Sequence, residues 1–413
     1  MGSGQDCLTG PNDTRWPDTP PRHSETKDPS SCSSSHQLTQ KEQTAPSPCQ
    51  INLGGSGFEK DAGGSAPKRD ACQTGKTSPM MRAMTAPLID NLQYCNWSPE
   101  IFAQLRAGGV DAIHVTIAYH ENFREMVHNL ERFNRWFEAH PDLIFKGTTA
   151  ADVHHAQATN RTAVFFGFQN PSPIEDDIGL IEIVHQLGVR FMQLTYNNQS
   201  LLATGCYEDD DTGLTRMGRE VVTEMNRVGL VVDMSHSADR STLETIDHSS
   251  RPIAITHANP HWWHPALRNK SDAVLKALTK RGGMLGFSIY PHHLKDGSNC
   301  TLNSFCTMIA EAADRYGPQH LGIGTDLCQD QPDSIVEWMR VGRWTKGIDY
   351  GEGSASNAGF PPMPDWFRDN RDWGNIRAGL KKAGFSNDET DGILGGNWLR
   401  FYEDSFGPEN TAS

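Results

Sequence analysis

Residues 219–236 read REVVTEMNRVGLVVDMSH, a helical pattern that runs straight into a short apolar strand ending in Ser235-His236. The helical part belongs to Met217–Val228 and the strand to Leu230–His236. The same unit recurs on both sides: a β-branched or aromatic run, then a longer amphipathic stretch. Upstream runs are Leu88–Tyr94, Ala112–Tyr119, Ala163–Gln169 and Phe191–Asn197; downstream runs are Ile253–His257, Met284–Tyr290 and Leu321–Asp326. Helical patterns lie between them at Pro99–Ala107, Phe123–His140, Gly179–Leu187, Ser241–Ser249, Asp272–Arg281 and Leu302–Tyr316. Strands that are apolar almost throughout and alternate with helices make a parallel sheet covered on both faces. Eight repeats predict an α/β fold of the closed (β/α)8 TIM-barrel type, with an open doubly wound sheet as the competing architecture. No GxGxxG follows an early strand, which argues against a dinucleotide-binding fold.

The barrel so read spans residues 85–410 and is expected to be a catalytic domain. Residues 1–84 differ in texture: they are rich in Ser, Thr, Pro, Gly, Asp and Gln, and their aromatics are Trp16 and Phe58. Such a segment buries too little apolar surface to offset its ordering entropy, so it is expected to be a disordered low-complexity segment. Met80, Met81 and Met84 stand where order should begin. An internal translation start there is one reading, and the intact mass of the native protein would check it. After the eighth strand, Thr345–Arg371 reads as a long loop near the mouth, and Asp388–Phe401 as a final helix containing Gly395-Gly396-Asn397-Trp398.

The 413 residues carry a formal charge of −14, which argues against a nucleic-acid partner and fits a small-molecule substrate. No stretch approaches the ~18 consecutive apolar residues of a membrane span, and no basic run precedes an apolar core at the N-terminus. A cytoplasmic protein without membrane contact is expected. None of the nine cysteines forms a CxxC pair, and the five in the barrel are expected to be reduced.

In a barrel, the last residues of every strand point at one shared mouth. Here those positions are polar nearly all the way round: Gln93-Tyr94-Cys95, Tyr119-His120, Gln169-Asn170, Tyr196-Asn197-Asn198, Ser235-His236, Thr256-His257, Tyr290 with His292-His293, and Thr325-Asp326. A lone strand-end histidine is as readily a hydrogen-bonded packing residue as a ligand. His236 and His257, however, end neighbouring strands at one height, an arrangement that suits a divalent metal, most often zinc. Asp326 is then a third ligand or the group that moves a proton. Arg268, in the loop Arg268-Asn269-Lys270, has the planar guanidinium that holds a carboxylate. Glu208–Asp211 reads as a solvated acidic loop, and Trp262, Trp263, Trp338, Trp344 and Trp366 as wall or lid aromatics, or as plain loop packing.

These segments resemble the membrane (renal) dipeptidase family of amidohydrolase-type barrels. The similar stretches are PLID at 87–90, residues 219–236, PIAITHA at 252–258, RNKSD at 268–272, GIGTD at 322–326 and GGNWLRF at 395–401. The resemblance implies a metal-dependent hydrolase with two zinc ions at the mouth. It implies His236 and His257 on one zinc, Arg268 on the substrate carboxylate and Asp326 in catalysis. It also implies a homodimer.

Four positions in three strands depart from the family. Its first-strand His-x-Asp falls on Leu92 and Tyr94, its bridging Glu on Gln169, and its strand-four His on Tyr196. Leucine cannot ligate, and a neutral amide bridges two cations poorly. The expectation is therefore a dipeptidase-like hydrolase of a small dipeptide or N-acyl amino acid with one zinc. Its metal ligands are His236 and His257, its catalytic residues Asp326 and Tyr196, and its substrate-binding residues Arg268, Asn269, Tyr94 and Gln169. A remodelled barrel enzyme for small nitrogen-containing acids and a catalytically dead binding homologue remain the alternatives.

Overall fold

Gly229 stands at φ +81°, where a Cβ is disfavoured, and there a helix stops and the next strand begins at Val231. The computed structural model describes residues 86–407 except 344, 345, 349 and 352. The strands are β1 (Ile89–Gln93), β2 (Ala112–Ala118), β3 (Ile144–Lys146), β4 (Thr162–Phe168) and β5 (Val189–Gln193). They continue with β6 (Val231–Asp233), β7 (Ala254–Ile255), β8 (Met284–Phe287) and β9 (Leu321–Ile323). Helices fill the intervals: α1 (Pro99–Ala107), α2 (Phe123–Ala139), α3 (Ala150–Thr159), α4 (Leu180–Gln186), α5 (Arg216–Val228) and α6 (Asp239–His248). The rest are α7 (Asp272–Lys280), α8 (Leu302–Tyr316), α9 (Asp333–Val341), α10 (Trp373–Lys382), α11 (Asn387–Asp391) and α12 (Asn397–Ser405).

All strand pairs are parallel, in the order β1-β2-β4-β5-β6-β7-β8-β9. The ring closes where Asp326 N–H donates to Leu92 O at 3.0 Å and Tyr94 N–H to Leu327 O at 2.9 Å. Asp90 reinforces that seam by accepting from the Thr325 amide and hydroxyl. These eight strands are the eight runs read from the sequence, and the chain has the expected (β/α)8 barrel architecture.

Some details differ. β3 and α3 were not anticipated; β3 pairs only with the first half of β4, at Ile144↔Thr162 through Lys146↔Val164, and so lies off the barrel path. The strands are shorter than their apolar runs: β7 spans only Ala254–Ile255, so His257 sits on the turn beyond it. The expected loop after the eighth strand follows a helix that the reading missed, α9. The final helix is broken at Gly392–Gly396 between α11 and α12. Within the expected solvated acidic loop, Asp211 is instead tied down, accepting from the Arg240 amide, the Ser241 amide and the Ser241 hydroxyl at the start of α6. Expectations about residues 1–84 and Trp344 fall outside the described residues. Among the described residues, no helix is long and apolar enough to cross a membrane.

The lower barrel is filled by Ile89, Phe165, Phe191, Val231 and Met284, and α12 plugs it with Trp398 and Tyr402. Trp398 is fully buried, and its indole N–H donates to Ile323 O at 3.0 Å. A Cβ on Gly322 would overlap that indole nitrogen. Gly322→Ala is therefore expected to lower unfolding stability by about 1–3 kcal/mol, the usual cost of overpacking a rigid core. Urea denaturation measures it; an unchanged midpoint would mean that the plug yields.

Candidate active site

Asp233, the last residue of β6, organises two turns at once. Its carboxylate accepts from the Ser235 amide (2.9 Å), the Ser235 hydroxyl (2.6 Å), the Thr256 amide (3.2 Å) and the Thr256 hydroxyl (2.6 Å). The turns after β6 and β7 are thereby held together, which sets His236 and His257 at one level. Because the Thr256 hydroxyl proton goes to Asp233, its oxygen accepts from His257 Nδ1–H at 2.8 Å. His236 Nδ1–H donates to Asn197 Oδ1 at 2.6 Å. Both rings are thus in the tautomer that leaves Nε2 as a lone pair.

Those two Nε2 atoms lie 3.1 Å apart. Gln169 is fixed by donation from its amide nitrogen to the Thr116 hydroxyl (2.8 Å) and the Tyr119 hydroxyl (2.9 Å). Its carbonyl oxygen therefore faces His236 Nε2, 2.8 Å away. Three acceptors converge here, with the Arg268 guanidinium directed at His236 Nε2 from 3.3 Å; a further cation among them would offset the remaining acceptor–acceptor repulsion. A proton is a poor occupant: burial first, and the Arg268 charge second, hold both imidazoles well below their usual range.

The donor chemistry suits one divalent ion. The 3.1 Å spacing is close to the ~3.3 Å edge of a tetrahedron with metal–nitrogen bonds of ~2.0 Å. Leu92 is fully buried, and Tyr94 is buried edge-on against Tyr119 at 4.7 Å. Among the described residues, no three His, Cys, Asp or Glu side chains form a group able to hold a metal.

Arg268 is buried beside this cluster. Its guanidinium donates to Ser235 O, to His257 O at 3.3 Å and toward His236 Nε2 at 3.3 Å. Asp326 lines the same cavity from the turn after β9, at φ +57°. Burial raises its carboxyl to about 7, against the pull of Arg268 and with a push from Asp90. Tyr196 stacks on His236, with ring centroids 4.3 Å apart. Its burial pushes the phenol up, so it stays a proton donor.

The cavity spans about 590 Å³, the open solvent at its mouth included. It brings together His236, Gln169, Arg268, Asp326 and Tyr196 of the expected set. His257 stands behind His236. Tyr94 and Asn269 are not on the wall. Asn269 instead ties down its loop, donating to His264 O and His293 O and accepting from the Asn259 amide. Lys270 is buried, held by Ser237 O at 2.5 Å, with its amine lowered to about 8 by desolvation.

The sequence reading missed one wall. Helix α9 crosses the mouth, carrying Val336, Met339 and Arg340 to the cavity. His120 Nε2–H donates to Met339 O at 3.0 Å, and Trp338 packs edge-on against Tyr119 and His120. The available signals were the apolar spacing of IVEWMRV at 335–341 and Trp338, read as a wall, lid or loop-packing aromatic without a helix being assigned there. Trp262 and Trp366 serve loop packing, bonded to the Tyr316 hydroxyl and Cys300 O.

Residues 98–342 match the model of the membrane dipeptidase family, peptidase family M19. Dipeptidase tcpJ of Claviceps purpurea is 24% identical over 293 residues, covering 70% of this chain and 61% of that protein. The chain spans about three fifths of the length of the curated relatives it matches. An amidohydrolase of Pseudomonas aeruginosa superposes with a TM-score of 0.73 at 32% identity, covering 78% of this chain and 97% of that one. Dipeptidase AC, a metallopeptidase of family M19, shares the fold with a TM-score of 0.65 at 18% identity, over 78% of this chain and all of that one (100%).

Proposed function

The chain belongs to the membrane dipeptidase family, and from that membership we propose that it hydrolyses the amide bond of a small dipeptide or N-acyl amino acid at a one-zinc site. The observation that carries this reading is the convergence of His236 Nε2, His257 Nε2 and Gln169 Oε1 beside Arg268. Those three atoms would hold the ion. Bound there, it would supply Lewis-acid polarisation of the scissile carbonyl.

The chain's own groups do the rest. Arg268 anchors the substrate carboxylate. Asp326 takes a proton from the attacking water and returns it to the leaving amine. The Tyr196 hydroxyl, kept protonated by burial, donates to the carbonyl oxygen as charge develops there. Met339 on α9 forms part of the cavity wall, and Trp338 packs behind it on Tyr119.

Asp326 must be ionised to act as the base. Its carboxyl is raised to about 7, so kcat/KM is expected to fall as pH drops through about 7. The groups that bear on it are Arg268, Asp90, Tyr196, Tyr290, Tyr119 and Cys328; of these, Arg268 carries the opposing charge. A profile flat down to pH 5 would remove Asp326 from this role.

The deciding experiment is metal content by plasma mass spectrometry on protein purified without chelators, beside His257→Ala. One zinc per chain, lost in the variant, is the expected result. Two per chain would overturn the one-metal site, and none would overturn the metal-dependent reading.

A further inference from the structure

Arg340 reaches the cavity from α9, while Arg268 lies in the loop after β7. Both line the same space, whose one lining carboxylate among the described residues is Asp326. Arg340 uses one N–H on Ala358 O at 2.9 Å and lies over the Tyr350 ring at 5.6 Å. Among the described residues, no carboxylate pairs with it. Other arginines of this acidic chain do hold carboxylates: Arg343 pairs with Glu125, Arg240 with Glu244, and Arg377 with Asp391. The Arg340 charge is also felt by the cavity tyrosines, since it lowers Tyr196 and Tyr290 against the dominant effect of burial. Arg268 acts on Tyr196 in the same direction. Tyr196 therefore lies in the field of two guanidinium groups.

We propose that the substrate carries two carboxylates, the first for Arg268 and a second, side-chain or acyl-chain carboxylate for Arg340. The class is an acidic dipeptide or an N-acylated acidic amino acid. A guanidinium with most of its donors unused among the described residues and one ring beneath it is preorganised for planar, two-point recognition of that group. The assignment of Arg268 to the first carboxylate rests on the hydrolase reading, whereas the role of Arg340 can be read from binding alone.

The test compares equilibrium binding of N-acetyl-L-glutamate and N-acetyl-L-glutamine by calorimetry, for wild type, Arg340→Gln and Arg340→Lys. One charge-assisted pair sets the expected preference for the glutamate ligand at about 10- to 100-fold. Arg340→Gln should erase that preference and leave glutamine-ligand affinity unchanged, while Arg340→Lys should keep part of it. Equal wild-type affinities, or a preference that survives Arg340→Gln, would overturn the proposal. Melting curves check folding; Arg340 is partly exposed and gives up one backbone hydrogen bond. Absence of turnover on glutamyl and glutaminyl dipeptides, with the binding preference intact, would sink the hydrolase reading and leave the Arg340 assignment standing.

Discussion

Asp326→Asn is expected to lower kcat by about 10²- to 10⁴-fold, the usual contribution of a positioned acid–base group. The substitution keeps size and the N–H bond to Leu92 O, so the barrel seam should survive. Asparagine also tolerates the left-handed backbone at φ +57° better than most residues. KM and metal content should change much less than kcat, because the ion's expected holders are His236, His257 and Gln169. Steady-state kinetics with metal analysis on one preparation would separate these. Loss of the metal together with activity would recast Asp326 as a ligand.

The second large effect is at Arg268. Arg268→Met should raise KM by about 10- to 150-fold for substrates with a free carboxylate, since charge-assisted hydrogen bonds contribute roughly 1.5–3 kcal/mol. The same substrates with the carboxylate amidated should show little change between variant and wild type. Arg268 also donates to Ser235 O and His257 O, so a melting curve must accompany the kinetics. If amidated and free substrates lose equally, Arg268 supports the turns and does not anchor the substrate.

The barrel was legible because its signal is local. Runs such as AVFFGFQ at 163–169 and LVVDMSH at 230–236 announce buried parallel strands within a few residues. Strand ends then follow from topology, which is why Gln169, His236 and Asp326 could be named before any contact was known; Arg268 was named from the loop that follows a strand. Short β3, with only Ile144–Lys146, carries too little pattern to stand out. Helix α9 was obscured for another reason. Its residues lie beside the Gly- and Pro-rich stretch of 345–371, and that composition reads as loop.

The site divides along the same line. Sequence alone determined which side chains end the strands, and that Leu92, Tyr94 and Gln169 are uncharged residues there. Those facts depend on residue identity and on a repeating local pattern. Only tertiary structure decided that Gln169 turns its oxygen toward His236, through bonds to Thr116 and Tyr119 some 50 residues away in the chain. Only it decided that Tyr94 packs against Tyr119 and does not line the cavity, and that Arg340 joins Arg268 at one cavity. Side-chain direction at a barrel mouth is set by hydrogen bonds and packing between distant strands and loops. Those interactions come into being only when the ring closes.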